Sequence, residues 1–146
     1  MNVDTNESRA LALAAADAAA GKKASDIRIL DLGDLLGITD FFVLVSASNE
    51  RQLGTIAEEV QHRLKQGRGR APFRREGKRD TGWMLIDYGD IVVHAFTEEQ
   101  RRFYGLERLW ADAPVVPYEA SAQSPNGDGA RADGAAWYAV GGAAKD

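Results

Sequence analysis

The sequence predicts an α/β (α+β) fold in a single domain, with a mixed sheet of about five strands flanked by helices. Helical and extended patterns alternate along the chain in the order α-β-β-α-β-β-β-α. Phe41 to Val45 is apolar at every position, as a strand covered on both faces must be. Two further strand-like runs are separated only by Tyr88, Gly89 and Asp90, the spacing of a hairpin in which glycine supplies a positive φ. With 146 residues, 45% of them hydrophobic, the chain is long enough for one core of ordinary size.

The elements follow in order. About Ser8 to Ala20 is alanine and leucine, residues that lose little side-chain freedom in a helix, and Gly21 stands where the helix should stop. Ile27 to Leu32 alternates as a strand, residues 33–40 break the pattern, and the apolar run from Phe41 forms the second strand. Ser48 is placed to cap the next helix and Glu50 to meet its positive end; Leu53, Ile56, Ala57, Val60 and Leu64 form its buried stripe, and Gly67 ends it. The glycine- and arginine-rich residues 67–82 read as a solvated edge or loop, with a short strand near Phe73. Trp83 to Asp87 and Ile91 to Phe96 form the hairpin. Thr97 and Gln100 then make a capping-box pattern, with Glu98 and Glu99 in the first turn of a short helix running to about Tyr104. Residues 1–7 read as an N-terminal extension and 8–118 as the domain. Residues 119–146 read as an acidic, Ala/Gly-rich disordered tail with too little apolar surface to offset its ordering entropy.

Composition removes several function classes. The chain has no cysteine, which excludes disulfides, thiol catalysis and cysteine-ligated metal, and permits a reducing compartment. No apolar run approaches the roughly 20 residues needed to cross a bilayer, so no membrane partner is expected. The formal net charge is −4, yet Lys65, Arg68, Arg70, Arg74, Arg75, Lys78 and Arg79 sit along one stretch with only Glu76 among them. That local cation cluster on an acidic protein points to a local anionic contact.

Asp87, Asp90 and His94 combine two carboxylates and an imidazole, the residue types that acid/base chemistry or a divalent cation requires. A tight-turn aspartate also caps backbone groups, and alternation puts Val92, His94 and Phe96 on one face, so structural roles explain all three. A nucleotidyltransferase would need a Gly-Ser turn and paired aspartates one residue apart; neither is present. No dinucleotide fingerprint or phosphate loop occurs either, and no cofactor or metal is expected. Clustered Arg68, Arg70, Arg74 and Arg75, with Phe73 available to stack, form a candidate contact with RNA phosphates. Trp83, Tyr88, Phe96, Phe103, Tyr104 and Trp110 crowd the last third of the domain; core and interface readings stay open for Tyr88, Tyr104 and Trp110.

Three runs carry a resemblance: Ile38-Thr39-Asp40-Phe41-Phe42-Val43, the stretch from Trp83 to Phe96, and Arg101-Arg102-Phe103-Tyr104-Gly105-Leu106-Glu107-Arg108-Leu109-Trp110. In these, and in Ser48-Asn49-Glu50-Arg51-Gln52, the chain resembles the ribosomal silencing factor family, bacterial relatives of the plant iojap protein. The resemblance covers about Ser8 to Ala111. It implies a nucleotidyltransferase-like fold without catalytic residues, a cytoplasmic protein that is not an enzyme, and a homodimer when free. The partner it implies is the large ribosomal subunit, bound through its protein at the small-subunit face, so that the two subunits cannot join and translation is repressed. Trp83, Leu85, Asp87, Tyr88, Tyr104, Leu109 and Trp110 match the signature that holds the family's partner-binding and dimer surfaces. The charge cluster, and not the family pattern, adds that Arg68, Arg70, Arg74 and Arg75 would form a peripheral contact with ribosomal RNA. Two alternatives accompany this reading: a large-subunit assembly factor, and a nucleotide- or RNA-processing enzyme using Asp87, Asp90 and His94.

Overall fold

The computed structural model of the chain describes residues 2–119. The elements are α1 (Asn2–Gly21), β1 (Ser25–Asp31), α2 (Gly33–Leu36), β2 (Phe41–Ala47), α3 (Glu50–Arg68), β3 (Arg74–Glu76), β4 (Trp83–Asp87), β5 (Ile91–Thr97), α4 (Glu98–Tyr104), α5 (Leu106–Leu109) and β6 (Val115–Val116), with a 3-10 turn at Arg79–Thr81. One six-stranded sheet runs in the order β3-β4-β5-β2-β1-β6. Only β2 and β5 are parallel, in register from Phe41 beside Ile91 to Ala47 beside Thr97; the other pairs are antiparallel. The sheet is therefore mixed, and every residue of β2, at its centre, is buried.

The two faces are covered unequally. Helices α1 and α3 pack on one face over Ile29, Phe41, Val43, Val45, Ile86, Tyr88, Ile91 and Val93. Ala12, Ala15, Ala16, Ala18 and Ala19 of α1 are buried there; their small side chains let α1 approach both α3 and the sheet closely. The alanine run thus has a packing reason as well as a helical one. The other face carries Leu30, Leu32, Phe42, Leu44, Val92 and Phe96, with Trp83, Leu85, Leu106 and Trp110 only partly buried against them. Its cover is the short α4 and α5 and the turn to Ala113.

Several boundaries differ from the sequence reading for identifiable reasons. Helix α1 starts at Asn2, not Ser8, so it takes in the residues set aside as an extension. Ser8 is a mid-helix clamp whose hydroxyl donates to Asp40 Oδ2 at 2.7 Å and is 3.3 Å from Asp90 Oδ2. The left-handed residue after α1 is Lys23, with φ +68°, and Gln52 Nε2 steadies this turn by donating to the carbonyls of Lys22 and Lys23, both at 3.0 Å. Asn49, not Ser48, caps α3, accepting from Gln52 N at 2.8 Å, while the Ser48 N–H and hydroxyl both donate to Gln52 Oε1. The helix stops at Gly69, with φ +65°, one turn signal later than Gly67. Thr97 does cap α4, accepting from Gln100 N. Strand β6, of two residues, brings the strands to six; it and the four-residue α2 and α5 are too short to show a period. Beyond β6, the Tyr118 hydroxyl donates to Asp17 Oδ1 at 2.8 Å, pinning the C-terminal segment to α1. Residues 120–146, where the disordered tail is expected, lie outside the described residues.

Candidate functional site

Alternation along β4 puts Trp83, Leu85 and Asp87 on the lightly covered face, and β5 and β2 add His94, Phe96 and Phe42. The rings interlock. Trp83 stacks on Phe96 with centroids 5.0 Å apart and touches Tyr104 at 4.5 Å; Phe42 lies between His94 at 4.5 Å and Trp110 at 5.9 Å. Two stretches separated in sequence therefore meet on one face, through Trp83 against Tyr104 and, by way of Phe42 in β2, through Trp110. Its outer layer is open to solvent: Phe103 is 76% exposed, Leu109 73% and Tyr104 47%. Leu35 and Ile38, just before β2, are exposed as well.

Tyr88 does not join this face, which corrects its place among the surface candidates. One residue past Asp87, it points to the opposite side and is 2% exposed within the α1 and α3 core. Burial pushes its hydroxyl up to about 12, and that oxygen has no hydrogen-bond partner among the described residues.

What holds the outer aromatics is a buried ion pair that the sequence reading missed. Helix α4 ends and α5 begins at Gly105, whose φ of +57° is costly for a residue with a side chain. Arg101 is 5% exposed beneath this elbow. Its Nη1 donates to Ser46 Oγ at 2.9 Å and to the Asp26 carbonyl, and its Nε and Nη2 donate to Glu107 Oε2 at 3.0 and 2.8 Å. One guanidinium thus ties α4, α5, β1 and β2 together, using the planar fork that only arginine offers. Burial alone would raise the Glu107 carboxyl, but the Arg101 hydrogen bonds and charge outweigh it and hold it below its usual range. The signal was in view, since both residues lie in the run from Arg101 to Trp110, but charged residues on a short helix read by default as solvated.

Asp87, Asp90 and His94 occupy three separate structural posts. Asp87 Oδ1 accepts from Gly89 N at 2.8 Å, closing the hairpin, and Oδ2 accepts from Arg74 at 3.3 Å. Asp90 receives both ends of the Arg70 guanidinium, at 2.7 and 3.3 Å, and the Ser8 hydroxyl. His94, 4% exposed, accepts from the Trp83 indole N–H through Nδ1 at 3.2 Å, and its buried Nε2 has no partner among the described residues. Among the described residues no group of three or more His, Cys, Asp or Glu could hold a metal ion.

Burial pushes the His94 imidazole down to about 4, against a weaker upward pull from Asp87. The folded protein then refuses a proton that the unfolded chain accepts at 6.5. Stability is accordingly full above about pH 6.5 and falls as the pH drops toward 4, by about 3 kcal/mol from this group. Urea unfolding between pH 7 and 4.5 should show this loss in the wild type and a flatter profile in His94→Leu; parallel profiles would place the acid sensitivity elsewhere.

The arginine cluster is also rearranged by the fold. Arg70 is taken up by Asp90, whose hydrogen bonds raise its pKa further, and by the Tyr88 carbonyl at 3.1 Å. Arg74 pairs with Glu76 at 2.7 Å and with Asp87. Glu76 is therefore not the sole acid facing the cluster: the hairpin brings Asp87 and Asp90 to it, and Arg70 and Arg74 are braces rather than free cations. Arg75 donates to Gln61 Oε1 at 3.1 Å, and Arg68 is exposed at the end of α3 with no ion pair to a described residue.

Comparison with known proteins places this architecture. A family model described as "Ribosomal silencing factor during starvation" matches residues 5–138. A ribosomal silencing factor from Halalkalibacterium halodurans is 39% identical over 105 residues, covering 72% of this chain and 89% of the relative. One from Bacillus subtilis is 36% identical over 111 residues, covering 76% of this chain and 92% of the relative. The X-ray crystal structure of a Chromobacterium violaceum protein superimposes with a TM-score of 0.67 at 27% identity, covering 82% of this chain and 95% of that one. A mixed sheet shared with solved relatives, an aspartate and histidine set spent on structure, and a family match over most of its length assign this chain to the ribosomal silencing factors, a family named for regulation rather than catalysis.

Proposed function

We propose that the chain binds the large ribosomal subunit through the aromatic face of its sheet, on the subunit's protein at the small-subunit side, and so keeps the two subunits from joining. The observation that carries this reading is the half-covered face itself: Trp83, Phe42 and Trp110 form a packed floor, and Tyr104, Phe103 and Leu109 stand exposed above it on an elbow fixed by Arg101. A standard interface buries about 800 Å² per partner and draws most of its affinity from a few aromatic anchors with a surrounding seal. A preorganised cluster binds without first losing side-chain freedom. Occlusion then requires no chemistry, only that the bound protein fill space the small subunit needs.

The same face, when unoccupied, would be covered by a second copy, making the free protein a homodimer in the cytoplasm. The domain of residues 8–118 carries the binding, and a chain truncated after Glu119 should retain it. Arg68 and Arg75, with Arg70 and Arg74 behind them, form a rim that meets ribosomal RNA around the docking protein. Sedimentation with separated subunits tests the reading. Co-sedimentation with large subunits alone is expected; association with small subunits, or with neither, would overturn it.

A further inference from the structure

We infer that Phe73 is a stacking platform for an unpaired RNA base, with the surrounding cations holding the adjoining phosphates. Phe73 is 79% exposed, yet it is not loose: ring carbons Cε2, Cζ and Cδ2 fill the space that a Cβ on Gly89 would need, the nearest at 2.5 Å. Gly89 has φ +91° at the hairpin tip, so glycine is required there twice, by the turn and by the ring. The Phe73 N–H donates to the Asp87 carbonyl at 2.8 Å, which fixes the backbone beneath it. One edge of the ring rests on the hairpin while most of its surface meets solvent.

The charges around the ring are ordered as well. Arg70 is locked by Asp90 and Arg74 by Asp87 and Glu76, while Arg68, Arg75 and Lys78 are exposed nearby in the chain. Strand β3 is the edge of the sheet, pairing only with β4. The other exposed large hydrophobics, Leu35, Ile38, Phe103, Tyr104, Leu109 and Val115, belong to the segments before β2 and after β5. A single aromatic among cations suits a nucleotide better than a protein partner, which would need a wider apolar patch: the base has a π-face for the ring and its phosphates take the exposed Arg68, Arg75 and Lys78. Unpaired RNA is favoured over duplex because a stacked helix keeps its bases out of reach.

This site deepens the ribosome-binding reading by naming what its basic rim contacts, but the stacking is tested without ribosomes. Fluorescence anisotropy would follow a single-stranded RNA of about ten nucleotides, its duplex, and a poly-glutamate peptide of similar charge as competitor. The full chain should bind the single strand more tightly than the duplex, and Phe73→Ala should weaken single-strand binding by roughly 5- to 100-fold while Phe73→Tyr keeps it. In Phe73→Trp the added indole emission should be quenched by the single strand only. Equal binding of both RNAs with Phe73→Ala unchanged would reduce the site to plain charge attraction and overturn the inference, as would equal competition by poly-glutamate. If wild-type protein failed to sediment with large subunits but bound the single strand through Phe73, the proposed function would fall and this site would stand.

Discussion

Leu109→Glu is expected to weaken binding to the large ribosomal subunit by at least roughly 30-fold, the effect of losing a central apolar anchor worth about 2 kcal/mol. Leu109 is 73% exposed and takes no part in the core, so the folded chain gives up little when it is replaced. In the proposed complex the bound state would give up much more, because a carboxylate buried in a desolvated interface would have no partner. Titration of labelled protein into large subunits measures the loss, and unchanged circular dichroism shows the fold to be intact. Binding as tight as wild type would remove the α4–α5 elbow from the interface.

Arg101→Ala is expected to act through the opposite route. Removing the guanidinium leaves the partly buried Glu107 carboxylate and the Ser46 hydroxyl without their partner, and breaking such a buried pair costs about 3 kcal/mol. For a domain of this size that corresponds to a melting point lower by roughly 10 °C. Ribosome binding should fall as well, because Tyr104 and Leu109 lose the joint that sets their directions. Arg101→Lys should recover little, since one ammonium cannot replace a fork bonded to three elements. A pH signature separates this network from general damage. Glu107 has a folded-state pKa below its ordinary 4.5, so its contribution is present above that value and is lost as the pH falls through the folded-state value. The Arg101→Ala variant should lack this acid-sensitive share; if it melts as the wild type does, the network does not hold the elbow.

These two residues also mark where the sequence could be read and where it could not. The central strands and the hairpin were legible because burial writes directly into composition: Phe41 to Val45 had to be apolar on both sides, and Gly89 had to supply the turn. Strand period puts Trp83, Leu85 and Asp87 of β4 on one face and Tyr88 on the other, a division that the resemblance to the family signature, which groups all four, does not make. Both ends of α3 moved by a residue or two because capping depends on backbone angles, which neighbouring Ser48 and Asn49 satisfy equally well on paper, whereas α1 begins six residues earlier, at Asn2. The two-residue β6 and the elbow at Gly105 were beyond reach, being too short for any period. The arginines were misjudged for a different reason: Asp87 and Asp90, which neutralise Arg74 and Arg70, arrive only when the hairpin folds against β3 and the end of α3. Arg101 was hidden because nothing local distinguishes a buried cation from a solvated one; its acceptors, Ser46 and the Asp26 carbonyl, lie 55 and 75 residues away.

Occlusion requires the aromatic face to dock on the large subunit where the small subunit must land. It is tested most directly by light scattering during association of purified subunits, with wild-type protein or Leu109→Glu added in increasing amounts. Wild-type protein should lower the fraction of joined ribosomes up to saturation of the large subunit, and the variant should leave joining as it is without protein. Undiminished joining at concentrations where the wild-type protein fills its site would contradict occlusion.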